Sequence, residues 1–217
     1  MLAVIDPVHP DTRLLLRAAD MIRRGGIVAH PTETFYGLAA DPFHDEGIAR
    51  LFEMKGRPLE RSVILLISSA DQVFDLAMAP GASRVWLDKL ARVFWPGPLT
   101  PVLPKRSHLS CPALAGSDTV ALRVPSHPVA WQLARTSGGP ITSTSANMTG
   151  GPPATSADQI DPALSSRLEL ILDAGPAPGG AASTLLDLSG ARPTILRAGR
   201  VPANAIAEVL GIQPLQR

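Results

Sequence analysis

With 217 residues, 45% of them hydrophobic, the chain has material for one continuous core and stands near the upper size of a single ordinary domain. Twenty basic residues against 19 acidic leave a net charge of +1. That balance excludes the global positive field of a duplex-coating protein and makes any anion site local. Lys55, Lys89 and Lys105 are the only lysines; the arginine excess supplies planar forks for carboxylates and phosphates, and codon composition accounts for it equally well. The lone Cys111 excludes an internal disulfide and a multi-cysteine metal site, in keeping with a reducing compartment. The apolar start before Asp6-Pro7 is too short for a signal peptide, and no stretch approaches the ~20 apolar residues of a bilayer span, so the expected location is cytoplasmic.

In chain order, Asp11 or Thr12 caps a predicted helix with Leu14, Leu15, Ala18, Ala19 and Ile22 at helical spacing, and Gly25-Gly26 stop it. A buried strand is expected over 27–29, a helix over 45–54 and a strand over 63–67. Helices follow over 70–77 and 83–94, then strands over 100–103 and 120–124 and a helix over 129–136. Strands over 141–143, 170–172, 183–188 and 194–197 precede a last helix over 203–210. Most of the 22 prolines and 18 glycines fall between these segments as turns. Several strands are separated by loops too short for a helical crossover, so a single α/β domain with a mixed sheet is expected.

Neither Gly-x-x-x-x-Gly-Lys-Ser/Thr nor Gly-x-Gly-x-x-Gly occurs, so a nucleotide would have to be held without a common phosphate loop. A Gly-x-Ser-x-Gly elbow is missing too, and the five histidines show no His-x-x-x-His pair. What remains is a set of polar clusters placed after strands or helices. Pro31-Thr32-Glu33-Thr34 reads equally as a turn or as a ligand loop. Lys55-Gly56-Arg57-Pro58, with Arg61 beyond, sets cations where they could meet one anion or simply favour a helix C-terminus. Phe94-Trp95-Pro96-Gly97-Pro98-Leu99-Thr100 reads as a rigid scaffold corner. Arg123, in the apolar run Thr119 to Pro125, needs an anionic partner if its face is internal and none at an exposed edge. Thr142-Ser143-Thr144-Ser145-Ala146-Asn147 gathers hydroxyls and an amide, suited to a phosphate or adenine or to a solvent loop; Ala182-Ser183-Thr184 repeats the pattern.

Together and in this order, these clusters resemble the YrdC/Sua5 family of threonylcarbamoyl-AMP synthases, from about Arg24 to Gly199. The resemblance implies an open, twisted mixed β-sheet with helices around it and a basic concave cavity. It implies synthesis of threonylcarbamoyl-AMP and pyrophosphate from L-threonine, bicarbonate and ATP with Mg²⁺, for the threonylcarbamoyladenosine modification of tRNA. Thr34, Arg123, Ser145 and Ser183 match threonine-holding positions. Arg57, Arg61, Thr119, Asn147, Thr155 and Arg197 match ATP-holding positions, and Lys55 matches a lysine that acts with Arg57 on the reacting phosphates. No residue is implied as a direct metal ligand. The single-domain form is expected, without the further C-terminal domain of some members, handing its product to separate transferase components and making at most weak contact with tRNA. The chain departs from the family pattern at Leu66, often histidine, at Ala182 and Ala198, and around Arg61-Ser62-Val63. Those departures leave open a relative that hydrolyses an adenylate, transfers a carbamoyl group or serves as an RNA-binding module.

Overall fold

A computed structural model describes residues 1–56 and 61–216. Its elements are β1 (Leu2–Val4), α1 (Thr12–Arg23), β2 (Val28–His30), β3 (Gly37–Ala39), α2 (Asp45–Lys55), β4 (Leu65–Leu66) and α3 (Val73–Leu76). After these come α4 (Ala82–Phe94), β5 (Leu99–Pro104), β6 (Thr119–Arg123), α5 (Pro128–Thr136), β7 (Ile141–Thr142) and β8 (Thr144–Ser145). The chain finishes with α6 (Pro162–Ser165), β9 (Leu170–Asp173), β10 (Thr184–Asp187), β11 (Thr194–Arg197), α7 (Ala203–Leu210) and β12 (Leu215–Gln216).

Local chemistry explains the helix limits. Asp11 accepts the Arg13 amide at 2.8 Å and caps α1, which buries Leu15, Ala18, Ala19 and Ile22 on one face. The α2 helix begins on His44, whose Nδ1 accepts the Gly47 amide, and ends where Gly56 turns left-handed at φ 56°.

The strands form two mixed sheets where one was expected: a five-stranded sheet ordered β1-β9-β2-β3-β8 and a seven-stranded sheet ordered β12-β11-β10-β5-β6-β4-β7. The division falls within the strand expected over 141–143. Thr142 pairs with Leu65 in the larger sheet, while its hydroxyl donates to Leu38 O and accepts the Ala40 amide of the smaller one. One residue later the Ser143 amide bonds Ile64 O, and Thr144 then pairs with Leu38. The segment from Ile141 to Ser145 therefore stitches the two sheets together, with its hydroxyls at the seam.

One large apolar core includes Leu38, Leu65, Leu99, Leu122 and Leu186. A second, beneath α1 and α5, contains Leu15, Ile22, Leu66, Val129 and Ile141. The adjacent Leu65 and Leu66 enter different cores because successive strand side chains point to opposite faces. Each fully buried leucine stabilises the fold by about 2 kcal/mol. No helix among the described residues is long and apolar enough to cross a membrane.

Candidate active site

The β2–β3 hairpin pairs His30 with Gly37, and its six-residue loop projects over the seam. Thr32 builds that loop. Its Oγ1 donates to Phe35 O at 2.7 Å and accepts the amides of Thr34 and Phe35. The Thr32 and Thr34 hydroxyls also lie 3.0 Å apart, a contact whose direction the geometry does not fix. Tyr36 anchors the loop from below, its phenol donating to Gly175 O at 2.7 Å, and burial pushes its pKa up to about 12.

A cavity of ≈ 390 Å³ opens beside this loop. Six of the residues expected from the sequence line it: Thr34, Arg123, Ser145, Asn147, Ser183 and Arg197. They come from the hairpin loop, β6, β8 and the loop after it, the start of β10 and the end of β11. The wall also includes Ser62, Ser143 and Gly151, which the clusters did not single out as ligand positions. Ser143 lay within a polar run that, taken by itself, reads as a solvent loop.

Arg123 is 4% exposed, and burial lowers its pKa. Its Nε lies 3.6 Å from Glu33 Oε1, which supplies the anionic partner that an internal position demands. This distance exceeds a hydrogen bond, and Nε and both Glu33 carboxylate oxygens are buried without a hydrogen-bond partner among the described residues. Arg197, at the end of β11 in the same sheet, holds Ser183: Nη2 donates to its carbonyl at 2.8 Å and to its Oγ at 3.1 Å, and Nε donates to the same carbonyl at 3.2 Å. Its pKa is lowered, first by burial and then by the Arg123 charge. Two cations that repel each other across a half-buried cavity are relieved by an anion between them.

Asn147 donates from Nδ2 to Met148 O and Gly151 O, which leaves its buried Oδ1 as an acceptor with no hydrogen-bond partner among the described residues. Gly199 shapes the same wall. A Cβ there would meet Ala182 O, the Ser183 carbonyl carbon and the Thr184 amide nitrogen within van der Waals distance, so the backbones touch where Ser183 is presented.

Other expected positions lie off the wall. Lys55 is buried and turned toward the Ser145–Asn147 loop, its Nζ donating to Ser145 O at 2.5 Å and Asn147 O at 2.6 Å. The ammonium thus orders the loop that carries two cavity residues. Thr119 starts β6, four residues and ~13 Å before Arg123, with its hydroxyl against Ser117. Thr155 bonds Gln159 Oε1, and Arg61 is exposed; neither lines the cavity. Arg57 lies outside the described residues. Leu66 pairs with Arg123 in the sheet but is buried in the second core beside Ile141, off the cavity wall.

Among the described residues the wall offers hydroxyls, amides and guanidinium groups but no carboxylate, and no three His, Cys, Asp or Glu side chains form a metal cluster. With these groups, a divalent cation would draw its charged ligands from a bound nucleotide.

The chain is similar to known proteins over most of its length. It is 41% identical to the threonylcarbamoyl-AMP synthase of Pyrococcus abyssi (strain GE5 / Orsay) over 194 residues, 89% of this chain and 56% of that protein. It is 38% identical to the threonylcarbamoyl-AMP synthase of Bacillus subtilis (strain 168) over 96% of this chain and 60% of that protein. The crystal structure of Pyrococcus abyssi Sua5 complexed with L-threonine superposes with a TM-score of 0.91 at 37% identity, covering 99% of this chain and 62% of that one. The chain thus spans less than two thirds of the length of these relatives. A family model for Sua5, YciO and YrdC proteins, described as telomere recombination, matches residues 20–199. With a family match over most of its residues and a relative this similar along nearly its whole length, the chain belongs to the Sua5/YciO/YrdC family.

Proposed function

We propose that this protein is a cytoplasmic enzyme that makes threonylcarbamoyl-AMP from L-threonine, bicarbonate and Mg²⁺-bound ATP. The observation that carries the reading is the convergence of Thr34, Arg123, Ser145, Asn147, Ser183 and Arg197 on one cavity at the seam between two sheets. The names of its relatives, and the L-threonine in the Pyrococcus abyssi structure, agree with that chemistry.

In this reading Arg123 and Ser183 receive the threonine carboxylate, and the Thr34 hydroxyl lies in the same pocket. The deprotonated amine bonds to the carbon of bicarbonate and water leaves, giving a carbamate. A carbamate oxygen then attacks the α-phosphorus of ATP, the bond to the bridging oxygen of the β-phosphate breaks, and pyrophosphate departs. Such a reaction asks for closeness and charge neutralisation rather than a covalent nucleophile. Arg197 and Arg57 offset the triphosphate, with Arg61, Thr119 and Thr155 assigned to the nucleotide by family position. Asn147 Oδ1 accepts from the nucleotide, and Lys55 acts from behind the loop that presents Ser145. The product passes to separate transferase components that modify tRNA. The reading is tested by pyrophosphate release with L-threonine, bicarbonate and ATP withheld in turn.

A further inference from the structure

Thr100, in the segment expected to be mere scaffold, is fully buried in β5 and donates its hydroxyl to Ser183 Oγ at 2.9 Å. Arg197 Nη2 donates to that same oxygen at 3.1 Å. A hydroxyl oxygen has two lone pairs and one hydrogen. With both lone pairs of Ser183 occupied, its remaining capacity is donation, and Ser183 stands on the cavity wall.

We propose that Thr100 is a positioning residue for the amino-acid substrate: by filling a lone pair of Ser183 it fixes that hydroxyl as a donor aimed at a carboxylate oxygen. The inference rests on reading Ser183 as part of the threonine pocket. It adds a polarity rule: the carboxylate of a zwitterion lies toward Ser183 and Arg123. Without the Thr100 donor, Ser183 Oγ regains a free lone pair and its hydrogen is no longer held toward the ligand.

Calorimetric titration with L-threonine tests this on the intact protein and on the Thr100→Val, Thr100→Ser, Ser183→Ala and Thr100→Val/Ser183→Ala variants. Valine preserves the shape of threonine without its hydroxyl, and loss of one hydrogen bond of ordinary strength weakens binding about fivefold. Thr100→Ser keeps the donor and should bind within about twofold of the unsubstituted protein by the same reasoning. In the Ser183→Ala background Thr100→Val should have no further effect. Unchanged binding by Thr100→Val, or an equal loss in both backgrounds, would overturn the assignment. A Thr100→Val protein that fails to fold shifts the test to Thr100→Cys, whose weaker donor must place its affinity between serine and the alanine background; affinity equal to serine overturns the proposal. If the unsubstituted protein binds no L-threonine, the proposed function itself fails, a result distinct from an insensitive Thr100.

Discussion

Arg123 Nε lies 3.6 Å from Glu33 Oε1, with both side chains largely shut away from water, at 5% and 13% exposure. A guanidinium buried this deeply is tolerable only beside an anion, and Glu33 holds that anion on the loop that also carries Thr34. The pair ties the hairpin loop to the end of β6 and holds Arg123 at the cavity. Glu33→Ala should therefore cost about 3 kcal/mol of stability in urea unfolding, because it leaves a buried charge unpaired. Removing both charges in Glu33→Ala/Arg123→Met should recover about half of that loss. A double variant no better than the sum of its single changes would mean that the two residues are not coupled.

Much of the fold was legible because its signals are local. The Asp11 cap, the apolar spacing of α1 and the glycines after it are sequence neighbours, and β11 and α7 have the predicted limits. The β3 strand was missed because Gly37-Leu38-Ala39 is short, wholly buried and without alternation. The strand expected over 63–67 shrank to two residues because the Val63 amide goes to Ala113 O, outside the sheet, and the ladder with β6 closes where the Ile67 amide bonds Arg123 O. In the site, Arg123 announced its need for an anion, but nothing in the spacing named Glu33, 90 positions earlier. Thr100 was hidden for the same reason: its partner arrives from β10.

His30 should make stability depend on pH. It is fully buried, its Nδ1 donates to Pro31 O at 3.1 Å, and Nε2 has no partner among the described residues. Burial holds its pKa down to about 4, helped by the charges of Arg123 and His127, against an ordinary 6.5 in the unfolded chain. The unfolded state therefore binds the proton first. The stabilising contribution is full above pH 6.5 and is lost as the pH falls toward 4, on the order of 3 kcal/mol in all. Melting temperatures at pH 7.5 and pH 5 should diverge more for the unsubstituted protein than for His30→Gln. Equal divergence would assign the acid sensitivity to other groups.

Gly199→Ala should damage the threonine pocket without touching a ligand-binding side chain. Its Cβ would press on the backbone of Ala182, Ser183 and Thr184, which cannot yield as a flexible side chain can. L-Threonine affinity should fall at least about tenfold and stability by about 2 kcal/mol. Ala198→Gly, one residue away, serves as the control and should leave threonine binding within about twofold. Normal threonine binding by Gly199→Ala would show that the loop can move away without consequence.

Lys55→Met should act through the loop it secures. The change leaves Ser145 O and Asn147 O without the ammonium that now bonds both. Ser145 O keeps the Asn147 amide, but Asn147 O loses its bond to the ammonium at a cost of about 1–3 kcal/mol, and the loop should shift to regain a partner. Hydrogen exchange at the Ser145, Asn147 and Thr149 amides should accelerate in the variant. Unchanged protection there, with activity lost, would instead assign Lys55 a direct part in the reaction.

The central claim is that one cavity joins threonine, bicarbonate and ATP, and pyrophosphate release with each substrate withheld in turn tests it most directly. The account predicts release only when all three are present, with Arg123→Ala chiefly raising the KM for L-threonine and Arg57→Ala chiefly raising the KM for ATP. Pyrophosphate release that proceeds equally well without L-threonine would contradict it.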